Sequence, residues 1–398
     1  MDTWELVDRH QSNTWHWTES LKAKLVQAGE RPYHPRTRYA DSELIEAFGS
    51  VEPGPEQLLL HYAGPPFPAA LTAPVLLVPG ATKPGYFYWD PQENGTRHGL
   101  AQRLRHRGCH VYALTFSHSQ DDNFIWADQI GAAIDRICAL HGVDQVDCVT
   151  HSKSGVAARI LACDLHRPYR GQLRRLLLVG VPNGGVDYFF RHPEFNLNLM
   201  RDDDNPLLNW PMSWDEVKLA NSWSDWRHQA YDSGFWPGQS QLLARWDRRH
   251  PLPDEGVDVQ STYHGGEGEQ SRSRGIDFFI EYGGRLIDRL AEQPTHSDIE
   301  VGVLAGASPS MPLIKNDRTG PGDGIVTIES AAALPAGSRL TALAVLPLHH
   351  KALIADPLGQ EWICRFLLSG PKPGLTRPER ERLLAQGVEL GRRKLVKV

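Results

Sequence analysis

A mostly parallel β-sheet with helices on both faces, an α/β fold, is predicted by three observations. Short, wholly apolar runs recur at Val75–Val78 and 176–180. Amphipathic helical patterns stand between such runs, as at Ile130, Ile134, Ile137 and Cys138. The alternation continues from residue 75 to residue 180 without a break. An apolar run of four or five residues suits a strand buried on both faces, and strands alternating with helices call for a parallel sheet.

Residues 1–70 read as an N-terminal extension packed on this core. A helical pattern is expected over 21–28 with Thr18 as its N-cap, a second short helix over 41–48, and a strand at 58–62. The core spans 71–186 and 266–370. Val75–Val78 ends in Pro79-Gly80-Ala81, and a helix follows near 100–107. The strand 111–116 precedes the helix carrying Ile130 and Ile134, which Gly142 ends at the C-cap position. The strand 146–149 leads into a helix that stops ahead of Pro168. After VGVPNGGV the pattern lapses, and 187–265 reads as an insertion holding six of the twelve tryptophans. The alternation resumes with a helix over 276–290, strands at 299–306 and 340–346, and a helix carrying Trp362, Ile363 and Phe366. A basic helix is expected over 371–398.

Composition excludes several functions. The net charge of −6 with no basic block argues against nucleic acid as a partner. Five scattered cysteines without a C-x-x-C pair read as free thiols. Asp202–Asp204 and STYHGGEGE read as loops, so no metal and no cofactor are expected. The chain opens without a basic-then-apolar signal segment, and no apolar run nears the ~20 residues that span a bilayer. A cytoplasmic protein without a transmembrane segment is expected, with transient lipid-surface contact left open and the oligomeric state unassigned.

The chemistry centres on Thr150-His151-Ser152-Lys153-Ser154. Strand, sharp turn and helix with a serine at the turn is the nucleophile-elbow context, in which small residues stand two positions either side. Thr150 and Ser154 replace the usual glycines. Reacting groups of open α/β sheets gather beyond the carboxyl ends of strands, and Ser152, the Pro79-Gly80-Ala81 turn, Asp323 and His350 all lie at such ends. Acyl transfer needs a base for the serine proton, His350, and an acid that fixes the imidazole tautomer, Asp323. It also needs two N–H donors for the oxyanion, those of Ala81 and Lys153. His349 competes with His350, Asp317 and Asp298 with Asp323, and Ser154 with Ser152.

On these motifs the chain resembles the α/β-hydrolase superfamily and its lipase and esterase branch, bacterial triacylglycerol lipases and the lecithin–cholesterol acyltransferase group being nearest. LLVPGAT is similar to the lipase oxyanion strand and loop, with Pro79 in place of the usual histidine. VTHSKSG is similar to the elbow, GDGIVTIESA to the acid loop, and HHKALIADP to the histidine loop. The resemblance covers roughly 75–190 and 295–370. It implies an α/β-hydrolase fold with an inserted cap, and a serine hydrolase acting on a small-molecule or lipid ester. The tryptophan-rich insertion, with Trp210, Trp214, Trp223 and Trp236, is expected to wall an apolar acyl site. An acyltransferase or a polyester depolymerase would use the same groups. A non-catalytic binding protein of the same fold is the alternative outside enzymes.

Overall fold

Strands that bury both faces need a covering layer on each side, and Val75–Val78 shows how the sequence specifies it. All four residues are buried. Successive side chains of a strand point to opposite faces. Leu76 and Val78 accordingly join one apolar cluster, and Val75 and Leu77 the other.

The structure is a computed structural model. It describes residues 3–24, 39, 41–67, 73–92, 95, 98–118, 120–192, 237–256, 258–268, 272–312 and 314–396. The N-terminal strands are β1 (Trp4–His10), β2 (Trp17–Ala23) and β3 (Gln57–Tyr62). They are followed by β4 (Val75–Val78), β5 (Val111–Phe116), β6 (Val146–His151) and β7 (Leu173–Val179). A two-stranded ribbon, β8 (Gly266–Glu267) and β9 (Arg272–Ser273), stands apart. The last strands of the main sheet are β10 (Glu300–Gly306) and β11 (Leu340–Leu346). The main sheet runs in the order β1-β2-β3-β5-β4-β6-β7-β10-β11. From β5 to β11 all neighbours are parallel. The first three strands extend the sheet in antiparallel register.

Helices α1 (Ser42–Phe48), α2 (Leu100–Arg105), α3 (Asn123–His141) and α4 (Lys153–Ala162) come from the first half of the chain. Ile130, Ile134 and Ile137 of α3 and Val156 and Ile160 of α4 fill the cluster beneath Leu76. Leu100 and Leu104 of α2, with Ile363 and Phe366 of the helix Pro357–Leu368, fill the opposite one. No helix among the described residues is long and apolar enough to cross a membrane.

Three local expectations differ from what is observed. The segment from Thr18 to Ala23 is a strand, because β1 and β3 satisfy its backbone on both sides. Thr18 does not cap a helix; its hydroxyl pairs with His61 Nδ1 at 2.9 Å. Pairing in a sheet here overrides a short helical pattern. Within residues 1–70 the described strands β1, β2 and β3 are therefore part of the sheet itself. The helix expected over 276–290 is broken into Ile276–Tyr282 and Leu286–Glu292, with Arg285 at φ 48° between them. The short helix expected over 41–48 is, by contrast, α1, and Asp41 caps it, accepting from the Glu43 and Leu44 N–H groups. The basic C-terminal helix runs Arg377–Leu395, and its Gly387 lies against Val345 of β11.

Glu19 joins the N-terminal strands to the rest. Its side chain is fully buried, and it accepts from Arg9 and Arg136, each at 2.6 Å. Arg136 belongs to α3, so this carboxylate ties β2 to the helical layer. Removing one partner of a buried pair leaves the other without compensation. Glu19→Ala is expected to lower unfolding stability by about 3 kcal/mol in urea melts, and Glu19→Gln by less.

Candidate active site

β6 ends at His151, and α4 begins at Lys153. One residue is left to reverse the chain. Ser152 does so at φ 56° and ψ −130°, a conformation that costs a residue with a Cβ on the order of 1–3 kcal/mol. Its N–H is held by Val179 O of β7 at 2.9 Å. Its hydroxyl caps nothing, so it is left for other chemistry. Space at the turn is short: a Cβ on Gly80 would meet His151 O and Ser152 Cβ, both at 2.9 Å. The β4 loop thus needs glycine to pass the serine.

The two residues that replace the elbow glycines have work of their own. Ser154 Oγ donates toward Val78 O at 2.9 Å and His151 O at 3.0 Å, and accepts from His151 N–H at 3.1 Å. Thr150 Oγ1 donates to Leu177 O at 3.0 Å. Both hydroxyls bind neighbouring strand carbonyls, so the turn is fastened by hydrogen bonds where glycines would give only room.

His350 is buried and sets Nδ1 at 2.8 Å from Asp323 Oδ2. Asp323 Oδ1 accepts from Ile325 N–H at 3.0 Å and Val326 N–H at 2.8 Å. The backbone repeats the link, His350 N–H donating to Asp323 O at 3.0 Å. With Nδ1 engaged, Nε2 is the nitrogen of His350 left for Ser152. Ser152, His350, Ala81 and Lys153 line one pocket. No hydrogen bond joins Ser152 Oγ to His350 in this structure; such bonds commonly tighten only with substrate bound. The first N–H groups of a helix lack intrahelical acceptors, which leaves that of Lys153 available beside Ser152.

The competing residues are otherwise engaged. His349 Nδ1 accepts from Ala352 N–H at 3.3 Å. Asp317 accepts from Thr319 N–H at 2.9 Å and Oγ1 at 2.7 Å and faces Arg191. Asp298 precedes β10, at the opposite end of that strand from Asp323. Ser154 is spent on the strand carbonyls. Trp210, Trp214, Trp223 and Trp236 lie outside the described residues. Among the described residues no group of three or more His, Cys, Asp or Glu side chains could hold a metal ion.

Several site features had escaped sequence reasoning. His151 donates Nε2–H to His350 O at 3.1 Å, linking the elbow to the histidine loop. Burial, reinforced by the neighbouring His350 ring, lowers its pKa to about 3, so it stays neutral. Lys153 does not face solvent. Its side chain is fully buried, with Nζ 2.7 Å from Asp121 O and 3.3 Å from the Trp126 ring centre. Burial holds the amine well below its ordinary range, against the opposing pull of Asp121 and Asp122. Burial likewise pushes the Asp121 carboxyl up to about 8. A lysine next to the elbow serine was the one visible signal of this buried polar region.

No protein-family model matches the chain, and neither does any curated protein. Solved structures similar to it include a Bacillus licheniformis lipase, BlEst2, in mature form: 16% identity over 77% of this chain and 97% of that one, TM-score 0.44. Est1E from Butyrivibrio proteoclasticus has 12% identity over 78% and 93%, TM-score 0.40. Epoxide hydrolase A from Mycobacterium thermoresistibile has 14% identity over 79% and 96%, TM-score 0.38.

Two outcomes are expected. Ser154→Gly restores the usual glycine yet leaves His151 N–H without its buried acceptor, so it should cost about 1–3 kcal/mol in denaturant melts. Native Asp121 keeps a proton that the unfolded chain releases above pH 4. Its contribution is therefore complete below its unfolded pKa and lost as pH rises towards 8. Measured from pH 4 to 8, wild-type stability should fall relative to Asp121→Asn. The parallel sheet from β5 to β11, extended by antiparallel strands and carrying its strained serine turn between β6 and α4, has the α/β-hydrolase fold.

Proposed function

We propose that this chain is a serine hydrolase that cleaves carboxylic esters through an acyl-enzyme. The observation that carries the reading is the strained Ser152, its hydroxyl unspent, in one pocket with an imidazole whose far nitrogen is held by Asp323. A serine hydroxyl attacks at neutral pH only when a base takes its proton. His350 Nε2 takes it as Oγ adds to the ester carbonyl. Asp323 stabilises the imidazolium and keeps Nδ1 as the protonated nitrogen. The N–H groups of Ala81 and Lys153 receive the oxyanion, each contributing about 3–4 kcal/mol to the barrier lowering. His350 then protonates the leaving alcohol, and water enters by the reverse route to free the acid.

The pocket wall is chiefly apolar, with Phe87, Val186, Phe189, Leu242 and Met311, which favours an acyl group over a charged substrate. The 187–265 segment is read as the cap over this pocket, with Trp210, Trp214, Trp223 and Trp236 as its acyl-facing wall. Transfer of the acyl group to an alcohol would use the same residues, with the acceptor in place of water.

Ser152→Ala is the test. Hydrolysis of p-nitrophenyl esters should fall by at least about 10⁴-fold, with the circular-dichroism spectrum unchanged. Labelling by a fluorophosphonate should vanish in the variant. Esterase activity retained in Ser152→Ala would refute the assignment, and wild type inert to esters and probe alike would favour a binding protein.

A further inference from the structure

The pocket beside Ser152 is not apolar throughout. Lys153, Gln120 and Gln239 also line it, and all three side chains are at least nine-tenths buried. Gln120 lies on the loop after β5, and Gln239 on the short helix Pro237–Ser240 that docks against that loop. The docking is close and polar. Gly238 N–H donates to Gln120 O at 3.1 Å, Asn123 Nδ2 to Gly238 O at 3.0 Å, and Gln241 Nε2 to Asp122 Oδ2 at 2.8 Å. A Cβ on Gly238 would collide with Asp121 O at 1.9 Å and Lys153 Cε at 2.7 Å. The seam thus fixes the glutamine pair against the lysine.

The pair has hydrogen-bonding capacity left over. Gln239 Nε2 donates to Gln120 Oε1. Among the described residues Gln239 Oε1 is buried without a partner. Lys153 Nζ uses one donor, on Asp121 O. An unsatisfied buried acceptor is costly, and a ligand that satisfies it recovers that cost. The sheet order says which part of a substrate meets this wall. Ser152 follows β6; the Gln120 loop follows β5, on one side of it, and Asp323 and His350 follow β10 and β11, on the other. His350 must reach the leaving alcohol, so the glutamine wall faces the acyl group.

Building on the ester-hydrolase reading, we propose that the site selects acyl groups bearing a hydroxyl near the scissile carbonyl, on the second or third carbon. The hydroxyl proton is given to Gln239 Oε1, and its oxygen accepts from Lys153 Nζ or Gln120 Nε2. A site built to bind a hydroxyl discriminates against the analogue that lacks it, because its own polar groups are then left unpaired.

The test compares kcat/KM for p-nitrophenyl butanoate with that for the (R)- and (S)-3-hydroxybutanoate and 2-hydroxybutanoate esters. Wild type should favour at least one hydroxyacyl ester by about tenfold or more, with the two enantiomers of that ester unequal. In Gln239→Leu and in Gln120→Leu the ratio should fall toward unity. Because each ratio is taken within one protein sample, partial loss of folded material does not affect it. Hydrolysis of butanoate without any hydroxyacyl preference in wild type, or a preference unchanged in both variants, overturns this inference and leaves the ester-hydrolase reading standing. Absence of all ester turnover overturns both.

Discussion

The reversal of the chain at Ser152 is the constraint on which the rest depends. A residue with a Cβ does not hold φ 56° unaided. Two strands supply the restraint: β7 binds the Ser152 N–H and, through Leu177 O, accepts from Thr150, and Val78 of β4 accepts from Ser154. Those strands keep their register because their flanking faces are filled by α3 and α4 on one side and by α2 and the helix Pro357–Leu368 on the other. The core thus does more than stabilise the chain. It holds one hydroxyl where no local preference would put it.

The second organising feature is the buried polar seam around Lys153. Its backbone stands next to the serine, while its side chain reaches Asp121 O and lies against Gly238 of the helix Pro237–Ser240. Nζ stands over the ring face of Trp126, 3.3 Å from its centre. The residue at the mouth of α4 is therefore tied to the loop after β5 and, through it, to Gln239 and Gln241. His151 makes a comparable tie in the other direction, to the backbone of His350.

Legibility in the sequence followed burial. Val75–Val78 and the apolar part of β7 were readable because a parallel strand covered on both sides is a continuous apolar run. β1 and β2 were not, because an edge strand such as WELVDRH carries polar residues on both faces and β2 buries Glu19 through paired arginines. The break at Gly283-Gly284-Arg285 lay inside a pattern whose apolar spacing continues past it. The serine turn at Ser152 and the His350–Asp323 pair were singled out because strand ends, chain order and motif resemblance converge on those positions. Gln120 and Gln239 could not be, since they sit in a loop and a single-turn helix without periodicity, 119 residues apart.

The links between loops also bear on the order in which the protein becomes competent. His350 follows His151 by 199 residues, and β10 and β11 add to one side of a sheet whose other strands all come earlier in the chain. During synthesis, β1 to β7 and the reversed serine are made well before the histidine that the proposed function assigns as its base. The nascent chain would therefore carry an inert hydroxyl on a largely formed scaffold. On the proposed reading, reactivity would arrive only when the last sheet strand docks and brings the histidine loop onto the elbow, so that competence would report that this side of the sheet is complete.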